Sequence, residues 1–283
     1  MIKGEKVRLD IHKILYSVFK FNINLNHISI QKIVNKHNKK DISLLNNVTL
    51  NSMRYNIHVS KIIKLHVNKK LKSNEKILLL SAITQIIFLD FQKYAVINCS
   101  VEIAKKLKIY HGFINAVLRK ISKNKEKLKN IEISFKDLPK WFRQETKWFT
   151  KKQEVNFLKN YNKQPDLHIV FKNEKKLSNF EESLIKTSEL SGFLKKKIDI
   201  KKIDTFNQGD WWVQDFSSFF PIQNILNFKK TSKVLDACAA PGGKAFQILS
   251  RNIDLVLNDK NKSKIKILRS NLERLKFQTK IFN

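Results

Sequence analysis

Residues 233–250 read KVLDACAAPGGKAFQILS. An apolar run ends in Asp236, small residues and a proline follow, then Gly242, Gly243 and Lys244 open a helix-like segment. Glycines at the end of a buried strand let a ligand approach the backbone closely. A second strand pattern, DLVLND over 254–259, precedes a helical pattern over 262–275, which completes a β-α-β-α unit of the doubly wound type. Ligands of such folds bind beyond the carboxyl ends of the strands, and an acid closing the second strand accepts hydrogen bonds from a ribose diol. Asp259 holds that place.

The spacing argues against a phosphate guest. A GxxxxGK[ST] loop needs glycine where Cys238 stands and a hydroxyl residue where Ala245 stands. A GxGxxG turn needs three spaced glycines, and only Gly242 and Gly243 are present. A ligand with a ribose and an amino-acid tail but no phosphate fits better, which points to S-adenosylmethionine.

The elements ahead of this unit change character along the chain. Val7, Ile11, Ile14, Leu15 and Val18 form the stripe of an amphipathic helix over 7–21. Helices are expected over 28–34, 41–57, 58–70, 94–107 and 112–122. The segment from Ser73, SNEKILLLSAITQIIFLDF, is apolar on most faces and reads as a central buried helix capped by Ser73 or Asn74. The charged stretch 122–139 closes in Pro139 and marks a domain boundary, with a helix over 139–149 beyond it. LHIVFK from Leu167 and IDIKKI from Ile198 read as strands around a helix over 179–191. A short strand and a helix in GDWWVQDFSSFFPIQNIL lead into the glycine turn.

Composition bounds the function. Lys and Arg exceed Asp and Glu by 32 in 283 residues, which suggests a polyanionic partner, nucleic acid first. A bias toward Lys, Asn, Ile and Phe codons accounts for part of that excess. No apolar run approaches the length of a membrane span, and the amino-terminal residues lack the apolar core of a signal peptide, so a cytosolic protein is expected. Two cysteines and seven scattered histidines give no disulfide framework and no metal-ligand spacing. The pairs Trp141/Trp148 and Trp211/Trp212 are expected in cores, with base stacking as their second reading.

VLDACAAPGGK closely resembles the cofactor motif of RNA cytosine-5 methyltransferases of the RsmB/Sun group, which modify small-subunit ribosomal RNA. WWVQDFSS is similar to the segment before that motif, LPKWFRQETKWF to the family's connector helix, and the region ending FINAVLRKI to its NusB-like RNA-binding domain. The resemblance implies a multi-domain chain: an all-α NusB-like domain over 1–125, a small α+β connector over 139–207, and the first half of a Rossmann-like α/β methyltransferase domain over 208–283. It assigns Cys238, Ala239, Ala240, Pro241, Gly242, Gly243 and Lys244 to the S-adenosylmethionine loop and Asp259 to the ribose, with small-subunit ribosomal RNA as partner and neither membrane nor metal. One departure is visible: where the family carries an Arg-x-Asn pattern, IVFKN places Val170 and Lys172.

Carbon 5 of cytosine is too weak a nucleophile to take a methyl group unaided, and the family adds a cysteine thiolate to carbon 6 first. The Pro-Cys and Thr-Cys-Ser motifs that supply its thiols do not occur among these residues. Cys238 belongs to the cofactor loop and Cys99 to a helix, where a buried structural thiol is expected. The expectation is therefore the amino-terminal two-thirds of such an enzyme, itself inactive, with an exposed sheet face near its end. The rival is a non-catalytic RNA-binding protein carrying a vestigial methyltransferase segment. A nicotinamide-linked oxidoreductase is disfavoured by the missing glycine pattern.

Overall fold

The computed structural model describes residues 4–283 except 179, 197, 204, 226–228 and 230. The chain divides into two compact units, Met1–Lys163 and Gln164–Asn283.

The first unit is helical: α1 (Glu5–Phe21), α2 (Ile28–Val34), α3 (Lys39–Arg54), α4 (Asn56–His66), α5 (Ser73–Ile83), α6 (Lys93–Lys106), α7 (His111–Lys123), α8 (Lys125–Lys129), α9 (Lys140–Glu145) and α10 (Lys151–Tyr161). The apolar stripe of α1 is buried through Val7, Ile11, Ile14 and Leu15, against Ile30, Leu45 and Val48 of α2 and α3. Helix α5 is buried on every face from Ile77 to Ile83, packing with α4, α6 and α7 around Leu78, Leu79, Ile83 and Ile114. It continues as a π-helical turn, Thr84–Phe88. Its cap differs from the expected Ser73 or Asn74: the Glu75 carboxylate reaches back to accept the Lys72 amide at 2.8 Å and also pairs with Lys69. The helix expected over 139–149 ends at Glu145, and Thr150 and Gln153 form a capping box that starts α10, a helix the apolar pattern does not announce.

The second unit carries two sheets. The first is antiparallel, in the order β2-β3-β1-β4, from β1 (His168–Phe171), β2 (Leu184–Ser188), β3 (Ser191–Leu194) and β4 (Trp211–Val213), with α11 (Glu174–Ser178) between β1 and β2. The second is parallel, in the order β5-β6-β7, from β5 (Lys233–Asp236), β6 (Asp254–Asn258) and β7 (Lys280–Phe282). Helices α12 (Phe216–Gln223), α13 (Gly243–Leu249) and α14 (Lys262–Arg274) accompany it. The boundary between units falls inside the segment expected as a connector, and β4 pairs with β1 rather than with the parallel strands.

Two expected elements are corrected. Of the segment expected as a helix over 179–191, residue 179 lies outside the described residues, and 180–191 form a 3-10 turn (Glu181–Ser183), β2 and the turn of a hairpin. Pairing of β3 with β1 overrides the local helix preference, and Gly192 is required there, since a Cβ would sit 2.9 Å from the Ile185 carbonyl. IDIKKI is not a strand: a 3-10 turn, Ile200–Lys202, sets Ile200 and Ile203 three apart against one core. The tryptophans also divide. Trp211 and Trp212 are buried as expected, whereas Trp141 and Trp148 are 65% and 70% exposed.

Among the described residues, β5 pairs with β6 alone. Leu255 and Leu257 face the core shared with α13 and α14, but Leu235 and Phe282 stand 63% and 57% exposed. No helix of the described residues is long and apolar enough to cross a membrane.

His58 gives the helical unit a pH dependence. It meets the stacked Tyr55 and Phe88 rings edge-on, and burial, with Lys61 nearby, pushes its pKa down to about 4 against the pull of Asp137. An unfolded histidine titrates near ~6.5, so protons favour the unfolded chain below that value. Stability should be full above about pH 6.5 and decline as pH falls toward 4. Asp137, held at about 2 first by its hydrogen bond from Lys61, loses its contribution only at lower pH. Thermal melts across this window should show the decline, and His58→Gln should lessen it. His12 and His168, also pushed down by burial, keep some of the slope.

Candidate functional site

The carboxyl end of β5 runs into the loop of residues 237–242, and α13 starts at Gly243. Asp236 accepts the Cys238 amide at 3.2 Å, and burial raises its carboxyl pKa. The Ala239 amide donates to the Asn258 carbonyl at 3.0 Å, which carries the loop across to the end of β6. Gly242, with φ of 119°, adopts a conformation side chains avoid, and a Cβ there would overlap the Phe246 ring. Gly243 has a different reason: its missing Cβ admits Gln214, whose Cγ would lie 3.2 Å away.

Asp259 ties the loop. One carboxylate oxygen accepts the Ala240 amide at 3.1 Å, the other the Asn261 amide at 2.9 Å. These bonds, that to Asn261 first, with Lys264 and Lys260 nearby, hold the carboxyl below its ordinary range. The Asn271 side chain donates to the Pro241 carbonyl at 3.1 Å. The eight residues expected at the site are thus brought together at one end of the parallel sheet. Ala239 is buried, while Cys238, Pro241 and Lys244 are exposed. Cys99 lies far along the chain, buried in α6, where burial raises its thiol pKa.

Gln214, Gln247 and Asn271 were not among the expected site residues. Gln214 accepts from the Trp212 indole at 2.9 Å and donates to Gln247 at 2.6 Å, and Gln247 donates to the Phe219 carbonyl. This buried chain fixes the floor beneath Gly243. WWVQ carries a visible signal for it, a polar residue ending an aromatic strand; Gln247 and Asn271 have none. Val170 and Lys172, at the departure from the family pattern, serve packing. Val170 is in the core, and Lys172 donates to the Leu275 carbonyl with its ammonium over the Phe277 ring.

The loop thus presents exposed Cys238, Pro241 and Lys244 at the carboxyl ends of β5 and β6, tied to them by the buried Asp259. Two family models match this chain: the NusB family over residues 5–123, and the 16S rRNA methyltransferase RsmB/F family over residues 223–283. Neither match covers half of the chain: one segment is similar to NusB proteins and another to the RsmB/F methyltransferases. Curated relatives agree over most of its length. It is 26% identical over 261 residues to the probable ribosomal RNA small subunit methyltransferase B of Coxiella burnetii, covering 84% of this chain and 60% of that protein. It is 25% identical over 280 residues to the ribosomal RNA small subunit methyltransferase B of Vibrio vulnificus, covering 86% and 62%. The chain therefore spans about 60% of the length of these relatives. A solved structure described as "Crystal Structure of PH0851" matches the fold with a TM-score of 0.60 at 16% identity, covering 100% of this chain and 69% of that one. The fold class expected from the sequence, a NusB-like helical domain followed by mixed α/β structure, is the one found.

Two substitutions test the loop. Gly242→Val places a β-branched side chain in a left-handed conformation and against Phe246, which should cost at least ~2 kcal/mol. Urea unfolding should locate that loss in the second unit. Asp259→Ala should abolish exchange protection of the Ala240 and Asn261 amides, read by hydrogen exchange. Because the Asp259 pKa is lowered, its contribution is present above the ordinary carboxylate range and fades as pH falls through its own lower value. Unchanged protection in Asp259→Ala would remove the carboxylate from its place as the tie.

Proposed function

We propose that the chain serves S-adenosylmethionine-dependent methylation of carbon 5 of a cytosine in small-subunit ribosomal RNA, in the cytosol. RNA engagement is assigned to residues 1–125, cofactor binding to residues 208–283, and the bridging role to residues 139–207. The observation that carries the reading is the loop of residues 237–244, held open at the carboxyl end of a parallel strand by the Asp259 carboxylate. The names of the relatives supply the substrate class.

S-adenosylmethionine, when bound, supplies an electrophilic methyl group. Cys238, Ala239, Ala240, Pro241, Gly242, Gly243 and Lys244 would line it, and the absence of a Cβ at Gly242 gives the Phe246 ring room to pack against the loop. Each Asp259 oxygen takes one backbone amide and keeps a second lone pair, so the same carboxylate serves the loop and the ribose hydroxyls. Lys and Arg in excess by 32 draw the RNA. The thiolate that carbon 5 chemistry requires is assigned to neither cysteine of this chain. Cys99 is buried with its thiol pKa raised, and Cys238 belongs to the cofactor loop. These 283 residues are therefore assigned cofactor and RNA binding without the covalent step.

Three measurements separate these parts. Calorimetric titration should show S-adenosylmethionine binding, weakened by Asp259→Ala by about one to two decades, the worth of a charge-assisted hydrogen bond; equal affinity in the variant sinks the ribose assignment. Binding of structured ribosomal RNA should fall steeply with salt, by about 0.7–0.9 in log–log slope per phosphate neutralised; binding insensitive to salt, or none at low salt, removes the RNA reading. Incubation of the 283-residue chain with labelled cofactor and unmodified small-subunit RNA should give background counts. Labelled cytosine would return Cys99 or Cys238 to the reaction.

A further inference from the structure

One triad occurs twice around α9. Lys140, Trp141 and Phe142 are followed seven residues later by Lys147, Trp148 and Phe149. In both copies the phenylalanine turns inward. Phe142 stacks on Phe157 of α10 at 4.9 Å, and Phe149 lies 6.3 Å from the same ring. In both copies the tryptophan turns outward, leaving most of each indole in water.

The exposed rings are nevertheless held. The Trp148 indole N–H donates to the Glu145 carbonyl at 3.0 Å, and its ring meets Phe149 edge-on at 4.7 Å. Trp141 meets Phe142 edge-on at 5.7 Å. Indoles are the largest apolar side chains, and leaving two uncovered forgoes burial that a core position would supply. The surroundings are cationic: Lys140, Arg143, Lys147 and Lys152 are exposed, against Glu145 on the same stretch, while Lys151 pairs with Glu154 at 2.9 Å and Asp137 is engaged by Lys61 at 2.8 Å.

Flat π faces, fixed in orientation within a positive field, match the chemistry of unpaired nucleotides: bases stack on the rings while phosphates meet the cations. A duplex offers phosphates but keeps its base faces in its own stack. We propose that Trp141 and Trp148 form a stacking platform for a single-stranded RNA segment. This rests on the RNA reading above and adds to it the surface and the state of the RNA it takes.

The test titrates the full 283-residue chain into a fluorescent short oligouridine, and into an RNA duplex of equal length, at several salt concentrations. Trp141→Ala with Trp148→Ala should weaken single-strand binding by roughly tenfold per ring. The factor should be the same at every salt, because stacking releases no counterions, and duplex binding should be unchanged. Tyrosine at both positions should restore most of the lost affinity, which a merely structural role of the indoles would not predict. Oligouridine should also quench the intrinsic fluorescence of the wild-type chain. If wild type binds both RNAs and the double alanine variant binds oligouridine equally well, the platform is wrong and the RNA reading stands. If wild type binds neither RNA at low salt, both fall. If the rings instead support a concentration-dependent dimer that the alanines abolish, with RNA affinity unaltered, they belong to a second copy of the chain and the platform is again wrong.

Discussion

Adjacent residues of a β-strand face opposite ways, and β4 uses that constraint to close two cores with two consecutive tryptophans. Trp211 packs beneath the antiparallel sheet with Ile169, Phe171 and Leu184, while Trp212 enters the core that β6, α13 and α14 share. β1 alternates in the same manner, giving Ile169 and Phe171 to one core and Val170 to the other. A one-residue slip of either strand would exchange the cores' contents, so the register is strongly specified. The site depends on it, because Gln214, one residue past β4, carries the polar chain that supports Gly243.

Polar groups sealed under a loop stabilise it only when every member is paired. Gln214 and Gln247 satisfy one another, the indole and a backbone carbonyl, and so hold α13 in place from below. Asp259 performs the matching task from the end of β6, and Asn271 from α14. The loop is fixed by side chains from three neighbouring elements rather than by its own sequence. A second joint lies at the carboxyl end of α14. There Arg274 donates to the carbonyls of Phe206 and Trp211, and a Cβ on Gly209 would overlap the Arg274 carbonyl.

The loop was legible because strand, small residues and paired glycines have few structural uses. The tie made by Asp259 was not, since an acid at that position serves a ribose and a backbone equally well. The hairpin of β2 and β3 was hidden for a non-local reason: its glutamates and leucines favour a helix, and only the pairing of β3 with β1 decides otherwise. The helical unit was legible wherever one face is apolar and at α5, where most faces are. Trp141 and Trp148 looked like core residues because aromatic content does not reveal direction. The signal lay in the repeated Lys-Trp-Phe order, where one aromatic of each triad fills the interior and the other is left over.

The open side of the parallel sheet has a colloidal consequence. β5 offers an unpaired ladder of amides and carbonyls among the described residues, beside exposed Leu235, a template on which another strand could grow. The net charge of +32 opposes such growth, with a mutual repulsion that reaches only as far as the surrounding ions allow. Raising the ionic strength weakens that repulsion while leaving the ladder and the apolar side chains untouched. Salt therefore works on this molecule in two directions, weakening the pull of its charge on any polyanion and weakening its repulsion of other copies.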